Sequence, residues 1–148
     1  MLKITRKTEY ALLALGQLSQ GNVDTVTKVR EISDLHQIPF PVLSKVMQNL
    51  ARAGFVEPVK GAHGGYRLSA QTGDTSLMHF LNLMEGPMGI VDCFVEADCD
   101  QLSGCSIRTP MQIIDDTLRQ VFSSIPLINV IGSNRATTTH FQANQTAN

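Results

Sequence analysis

Between Pro41 and Leu68 the chain reads PVLSKVMQNLARAGFVEPVKGAHGGYRL. The first part repeats apolar residues every three or four positions, which predicts a helix that starts at Pro41 and stops at Gly54. Two short apolar runs follow, joined by a turn with three glycines, a pattern typical of a β-hairpin. Upstream, apolar periodicity predicts two more helices, capped by Thr5 and Thr27. This order predicts a mainly α fold with a small β-hairpin, a winged helix-turn-helix.

The charge of the chain is divided unevenly. Residues 1–70 hold nine Lys/Arg against five Asp/Glu, a net charge of +4, whereas residues 71–148 hold three against eight, a net charge of −5. Because the basic half contains the predicted winged helix, we expect double-stranded DNA as its partner. We assign residues 1–70 to a DNA-binding domain and residues 71–132 to a second region with a loop and helices. Residues 133–148, mostly polar, are expected to form a disordered tail.

Candidate DNA contacts are polar side chains that carry positive charge or donate hydrogen bonds on the predicted helices and hairpin. They are Lys28, Ser44, Lys45, Gln48, Lys60, His63 and Arg67. The glycines of the hairpin turn would let its backbone approach phosphates closely. The open alternative is a solvated surface, because Ser, Lys and Gln are common on any exposed helix and a His in a turn is often simply hydrated.

The acidic half predicts a helix over residues 76–85, a long polar segment and a second helix that begins at Thr109-Pro110. The second helix carries an apolar stripe: Met111, Ile114, Leu118, Val121, Phe122 and Ile125. Such a stripe near the end of a small chain favours a twofold helix–helix interface, hence a homodimer that reads a palindromic site. The alternative is that the stripe packs on its own domain.

The polar segment contains Cys93, Cys99 and Cys105, with five residues between successive cysteines. Three thiolates on one loop can bind a soft metal centre, as iron–sulfur clusters require. The close cysteine pairs of structural zinc sites are missing. Three unrelated buried cysteines, or a redox pair with a spare thiol, remain as alternatives. Since the chain has three cysteines, a fourth cluster ligand must come from elsewhere or stay open.

Several classes of protein are disfavoured. An odd number of cysteines argues against a secreted disulfide scaffold, and the start of the chain lacks the features of a signal peptide. No apolar run reaches the roughly 18 residues needed to span a bilayer, so no membrane partner is expected. No catalytic constellation or phosphate loop is found. We therefore expect a cytoplasmic protein that is not an enzyme.

The segments MLKITRKTEYAL at residues 1–12, LARAGFV at 50–56 and KGAHGGYRL at 60–68, together with the three spaced cysteines, carry a family resemblance. They resemble the IscR/NsrR family of iron–sulfur transcriptional regulators over residues 1–131. The resemblance implies a homodimer of winged helix-turn-helix subunits with a long C-terminal dimerisation helix that crosses its mate. It also implies an iron–sulfur cluster, of the 2Fe–2S or 4Fe–4S type, near the dimer interface.

The resemblance also implies metal ligands. Cys93, Cys99 and Cys105 fall on the three family cysteines. IscR-like members have a histidine three residues after the third cysteine, where this chain has Arg108. NsrR-like members use an aspartate of the first helix of the other subunit, and the matching residue here is Glu9. Glu9 also has the alternative role of an exposed acid that the helix dipole stabilises.

We therefore predict a transcriptional regulator, expected to be a repressor, whose cluster senses redox state, nitric oxide or iron–sulfur supply. One alternative is a DNA-binding regulator switched by zinc or by thiol chemistry. An alternative of another class is a small iron–sulfur electron carrier, which needs the cysteines but not the basic hairpin.

Overall fold

The computed structural model describes residues 3–22, 24–94, 99–101 and 103–132. In these residues three helices precede a hairpin and three follow it: α1 (Arg6–Ser19), α2 (Val29–His36), α3 (Phe40–Arg52), β1 (Val56–Val59), β2 (Gly65–Leu68), α4 (Leu77–Glu85), α5 (Arg108–Ser124) and α6 (Ile128–Ile131). A short 3-10 turn, Asp92–Phe94, lies between α4 and α5. The predicted mainly α fold with a small β-hairpin is confirmed.

The core lies where α1 packs against α3 and α4. α1 begins after Thr5, whose hydroxyl accepts a 3.4 Å hydrogen bond from the Thr8 N–H, so the predicted cap is confirmed. The buried apolar side chains of these three helices are Ala11, Ala14, Leu15, Leu18, Leu43, Val46, Met47, Leu50, Met78, Phe80, Leu81 and Met84. Phe80 of α4 meets Phe55 edge to face, with ring centroids 5.3 Å apart. This contact joins α4 to the residues that lead into the hairpin.

A tight turn connects α2 to α3. Gln37 ends α2 in the left-handed conformation, with φ 53°. The Ser33 hydroxyl donates to the Ile38 carbonyl at 2.6 Å, and the Ile38 N–H donates to the Ser33 carbonyl at 3.0 Å. Because both bonds cross the turn, they fix the direction in which α3 leaves it. α3 starts at Phe40, one residue earlier than predicted.

The hairpin is antiparallel, with Val56 opposite Leu68. Thr27 extends it, because Thr27 and Tyr66 exchange two backbone hydrogen bonds of 2.9 Å. The prediction that Thr27 caps α2 is wrong, since its backbone pairs with the hairpin and the N-cap is Lys28. The hairpin is thereby attached to the segment that precedes α2.

The start of α5 also differs from the prediction. α5 begins at Arg108 after the N-cap Ile107, so Thr109 is not its cap. Pro110 occupies the third helical position, where a missing N–H costs little because the first-turn N–H groups have no partner within the helix. The helix is therefore slightly longer at its N-terminal end than the Thr-Pro signal indicates.

α6 is a short helix that the sequence pattern does not predict. It packs on α1, with Leu127 fully buried and Ile131 nearly so. The Leu127 N–H donates to the Thr75 carbonyl at 2.7 Å, and the Leu77 N–H donates to the Ile125 carbonyl at 2.8 Å. The chain after α5 thus returns to the core beside the start of α4.

The limits of the two predicted domains stay a prediction. The predicted disordered tail, residues 133–148, lies outside the described residues. In the described part of the chain, no helix is long and apolar enough to cross a membrane.

Candidate functional site

α3 turns one face to the core and the other outward. Its buried residues are Leu43, Val46, Met47 and Leu50. Lys45 and Gln48 are exposed on the outward face, and Ser44 is half-buried at its edge. Lys28, the N-cap of α2, is exposed as well. Four of the predicted DNA contacts therefore lie in the helix-turn-helix, and all four have hydrogen-bonding side chains that reach the surface.

Residues 56–68, which we call the wing, carry the other three predicted DNA contacts. Lys60 and His63 are exposed in its turn. Gly61 has φ 110°, and a Cβ on Gly64 would lie 2.4 Å from the Val59 carbonyl oxygen. The turn itself requires these two glycines, because no other residue fits there without strain or clash. The predicted close approach to phosphate is a separate property that these contacts do not test.

Arg67, the third residue, differs from Lys60 and His63. Its guanidinium lies 2.8 Å from a carboxylate oxygen of Glu57 and 3.7 Å from one of Asp24. Two acids thus compensate its charge on the surface of the hairpin. Among the cations of the wing, Lys60 is the better candidate for a phosphate contact.

The three cysteines are free thiols, and each is half-buried. Cys93 borders an open depression that Arg108, at the start of α5, also lines. Within residues 3–22, 24–94, 99–101 and 103–132, no group of three or more His, Cys, Asp or Glu side chains is placed to hold a metal ion. The single chain therefore does not bring the three predicted cysteine ligands together.

Asp115 fastens the start of the cysteine segment to α5. Its Oδ1 accepts from the Ile90 N–H at 3.0 Å, and its Oδ2 accepts from Arg119 Nε at 2.5 Å. Arg119 also donates to the Met88 carbonyl. Burial raises the pKa of Asp115, but the hydrogen bonds from Arg119 and Ile90 outweigh it, so this pKa lies below its ordinary value. This pair is not among the predicted site residues, although an acid and a base four positions apart on a predicted helix are a signal for an ion pair.

Glu85 makes a second connection, from the end of α4 to the start of α1. Its Oε1 accepts from the Thr5 N–H at 2.8 Å, from the Thr5 hydroxyl at 2.9 Å and from the Thr8 hydroxyl. Partial burial raises the pKa of Glu85, but these hydrogen bonds and the charge of Lys7 outweigh it, so this pKa also lies below its ordinary value. The start of the segment between α4 and α5 is therefore fastened twice, to α1 through Glu85 and to α5 through Asp115.

Glu9, the predicted fourth ligand, lies in the first turn of α1. Its carboxylate accepts a 2.9 Å hydrogen bond from Arg6, and 38% of its side chain is exposed. A carboxylate in this position is accessible to another subunit. An acid that merely stabilises the start of a helix would have the same position.

The sequence matches a known protein family and several curated relatives over most of its length. The family model Rrf2, described as an iron-dependent transcriptional regulator, matches residues 4–133. The chain is 24% identical to the regulator IscR of Vibrio atlanticus over 133 residues, which are 90% of this chain and 77% of that protein. It is 29% identical to the regulator NsrR of Bacillus subtilis over 93 residues, which are 63% of this chain and 64% of that protein.

The fold is similar to that of a solved structure, CymR, the global cysteine regulator of B. subtilis. The two structures have a TM-score of 0.70 at 24% identity, over 89% of this chain and 98% of CymR. The winged helix-turn-helix predicted from the sequence is thus also the fold of a solved regulator. Because the family model extends from Ile4 to Ser133, almost the whole described chain, the protein belongs to the Rrf2 family of transcriptional regulators.

Proposed function

We propose that this chain acts as a homodimer that reads a palindromic DNA site and that an iron–sulfur cluster controls its binding, with repression as the outcome. The observation that carries the proposal is the division of the molecule. A basic winged helix-turn-helix with exposed donors is joined to an acidic half that contains three free cysteines and a bare apolar helix face.

The bare face belongs to α5. Ile107, Ile114 and Val121 follow one another at seven-residue intervals and are 61%, 48% and 39% exposed. Half-buried Met111 and Leu118 lie between them, which gives the alternating spacing of four and three residues found in helix pairs. An apolar row of this kind marks an interaction site, and its length fits the same helix of a second subunit. Two subunits would place two α3 helices on the two halves of a palindrome.

The cysteine segment offers suitable donors for a cluster, because thiolates are the usual ligands of iron–sulfur centres. We assign this role to Cys93, Cys99 and Cys105, with Glu9 of the partner subunit as the fourth ligand. The residue at the position of the IscR-like histidine, Arg108, is a cation and does not ligate iron. The described residues of the single chain do not bring the three thiols into one metal site, so in this proposal the thiols converge when the cluster binds. When bound, the cluster supplies a centre that changes its ligands on oxidation or on reaction with nitric oxide.

The start of the segment provides the coupling to DNA. Glu85 holds it to α1 of the winged helix, and Asp115 holds Ile90, five residues later, to α5. A change in how the cysteines are bound would therefore be transmitted through these contacts to the winged helix and to the proposed dimer helix. A small rotation there misaligns one reading helix, because palindromic half-sites lie about 34 Å apart. DNA affinity would then depend on the state of the cluster, as coupling between two sites requires.

The experiment that tests the cluster is anaerobic purification of the full chain, followed by a visible absorption spectrum and analysis of iron and zinc. We expect a coloured protein that contains iron and loses both colour and iron in Cys99→Ser. Ser106→Ala, a change in the same segment, is the matched control and should keep both. A Glu9→Ala protein with an unchanged spectrum and unchanged DNA affinity would exclude Glu9 as a ligand.

DNA binding is tested separately by fluorescence anisotropy with duplexes selected from a randomised library. We expect a palindromic site and an affinity that falls steeply with salt, because phosphate contacts release counterions. An iron-containing protein without salt-dependent duplex binding would support the electron carrier instead.

A second candidate function keeps the DNA binding but replaces the cluster by thiol or zinc chemistry. Two observations favour it. The three thiols are free and half-buried, and CymR, the solved structure with a similar fold, is described as a cysteine regulator. A colourless protein with stoichiometric zinc, or one whose DNA affinity changes on thiol oxidation without iron, would establish it in place of the cluster.

A further inference from the structure

The outward face of α3 does not begin with polar residues. Phe40, Pro41 and Val42 open the helix, and all three are exposed, with Phe40 at 36% and Val42 at 45%. The first exposed cation of the helix is Lys45, one turn after Pro41. The part of α3 that a DNA-reading helix inserts deepest is therefore apolar.

Phe40 and Val42 differ in what covers them. The guanidinium of Arg30 lies over the Phe40 ring, 4.1 Å from its centroid, so Phe40 is engaged within the helix-turn-helix. Val42 lies outside the cluster of residues that forms the hydrophobic core. Its isopropyl group points outward on the same side of α3 as Lys45, which follows three residues later.

We propose that Val42 reads the C5-methyl group of a thymine in the major groove, which rests on the proposed DNA-binding function. The major-groove edge of thymine offers one acceptor and one methyl group, and the methyl is recognised by apolar contact. The exposed cations of the winged helix, Lys45 three residues after Val42 and Lys60 in the turn of the wing, favour a polyanion over an apolar protein partner for this domain. Val42 is then a specificity-determining residue and Lys45 a residue that sets affinity.

The test starts from the duplex that the full-length protein enriches from a randomised library. Each thymine is replaced in turn by deoxyuridine, which removes only the methyl group. We expect one symmetric pair of thymines at which the replacement weakens binding about 4-fold per half-site, the value of one buried methyl group. Val42→Ala should bind the thymine and deoxyuridine duplexes equally. Since Val42 is exposed, this variant should keep the thermal stability of the wild type.

The matched control is Leu35→Ala, which shortens an apolar side chain on α2 that is 61% exposed, and it should keep the full sensitivity to deoxyuridine. A duplex with 5-methylcytosine at the same position tests whether the methyl alone suffices, and partial recovery of affinity relative to cytosine is expected. Equal binding of deoxyuridine at every position, or full sensitivity in Val42→Ala, would overturn this inference alone. Failure to enrich any duplex would overturn the proposed function together with it.

Discussion

The winged helix-turn-helix and α5 both have apolar helix faces, but only the winged helix buries them within the single chain. In the winged helix, α1 and α3 cover each other, and Leu15 and Leu50 have no exposed surface. At α5, the N-cap Ile107 and the helical residue Ile114 remain 61% and 48% exposed, while half-buried Phe122 and the polar contacts of Asp115 hold the helix to its own chain. The core of the winged helix is thus closed within one chain. The acidic half instead leaves an apolar helix face uncovered, and we propose that a second subunit covers it.

The largest effect is expected in the winged-helix core. Leu50→Ala should lower the free energy of unfolding by about 3 kcal/mol, because it removes buried methyl groups and leaves a cavity. Ile113→Ala, on an α5 residue that is 62% exposed, should change the free energy of unfolding by less than about 0.5 kcal/mol. Urea denaturation at one fixed protein concentration measures both. Similar losses in the two variants would contradict the contrast between a closed core and an open helix.

The next effect concerns self-association. Ile114→Asp places a charge in the centre of the exposed α5 row and should weaken dimerisation by about 100-fold, since an unpaired carboxylate must be desolvated there. The matched control is Gln120→Asp, an exposed residue of α5 that lies about 120° around the helix axis from Ile114. Sedimentation equilibrium gives both dissociation constants. If Ile114→Asp dimerises as well as wild type, α5 is not the interface.

The winged helix could be predicted because its signals are local. The Thr5 cap, the apolar periodicity of α1 and α3 and the glycines of the wing each act within a few residues. The errors arise where distant parts of the chain compete. Thr27 loses its expected role as a cap because Tyr66 pairs with its backbone, and α6 forms only because α1 offers a surface for Leu127 and Ile131. No local pattern contains that information.

The candidate site was predictable as a list of residues but not as an arrangement. The cysteine spacing identifies Cys93, Cys99 and Cys105, yet the single chain leaves them apart, and their convergence stays a prediction. The charge of Arg67 predicts a DNA contact, whereas the structure pairs its guanidinium with Glu57 and Asp24. The connection through Asp115 was missed because it joins a helix side chain to the backbone of Ile90, 25 residues earlier in the chain.

A smaller effect tests that connection. Asp115→Asn should lower the free energy of unfolding by about 2 kcal/mol at neutral pH, because it removes the ion pair with Arg119. The pKa of Asp115 is lowered by folding, so its stabilisation is present above the unfolded-state pKa of about 3.9 and is lost as the pH falls through the folded-state pKa. The difference between variant and wild type should therefore shrink below about pH 4.

The control for Asp115→Asn is Asp116→Asn, an exposed neighbour that should leave the unfolding curve unchanged at neutral pH. Chemical denaturation across a pH series measures all three proteins. A pH-independent difference would mean that the carboxylate of Asp115 acts through packing and not through its charge.

The smallest effect is expected in the wing. Lys60→Gln should reduce the slope of log affinity against log salt by about 1 per subunit, because one phosphate contact is lost, while the preferred DNA sequence stays the same. Lys60→Arg keeps the charge and should restore the slope. Anisotropy titrations at several salt concentrations measure all three proteins. The slope therefore separates phosphate contacts from base contacts on this domain. Val42→Ala is expected to change the sequence preference but to leave the salt slope unchanged. If Lys60→Gln altered the preferred sequence instead, Lys60 would contact a base edge, and the wing would be part of the reading surface.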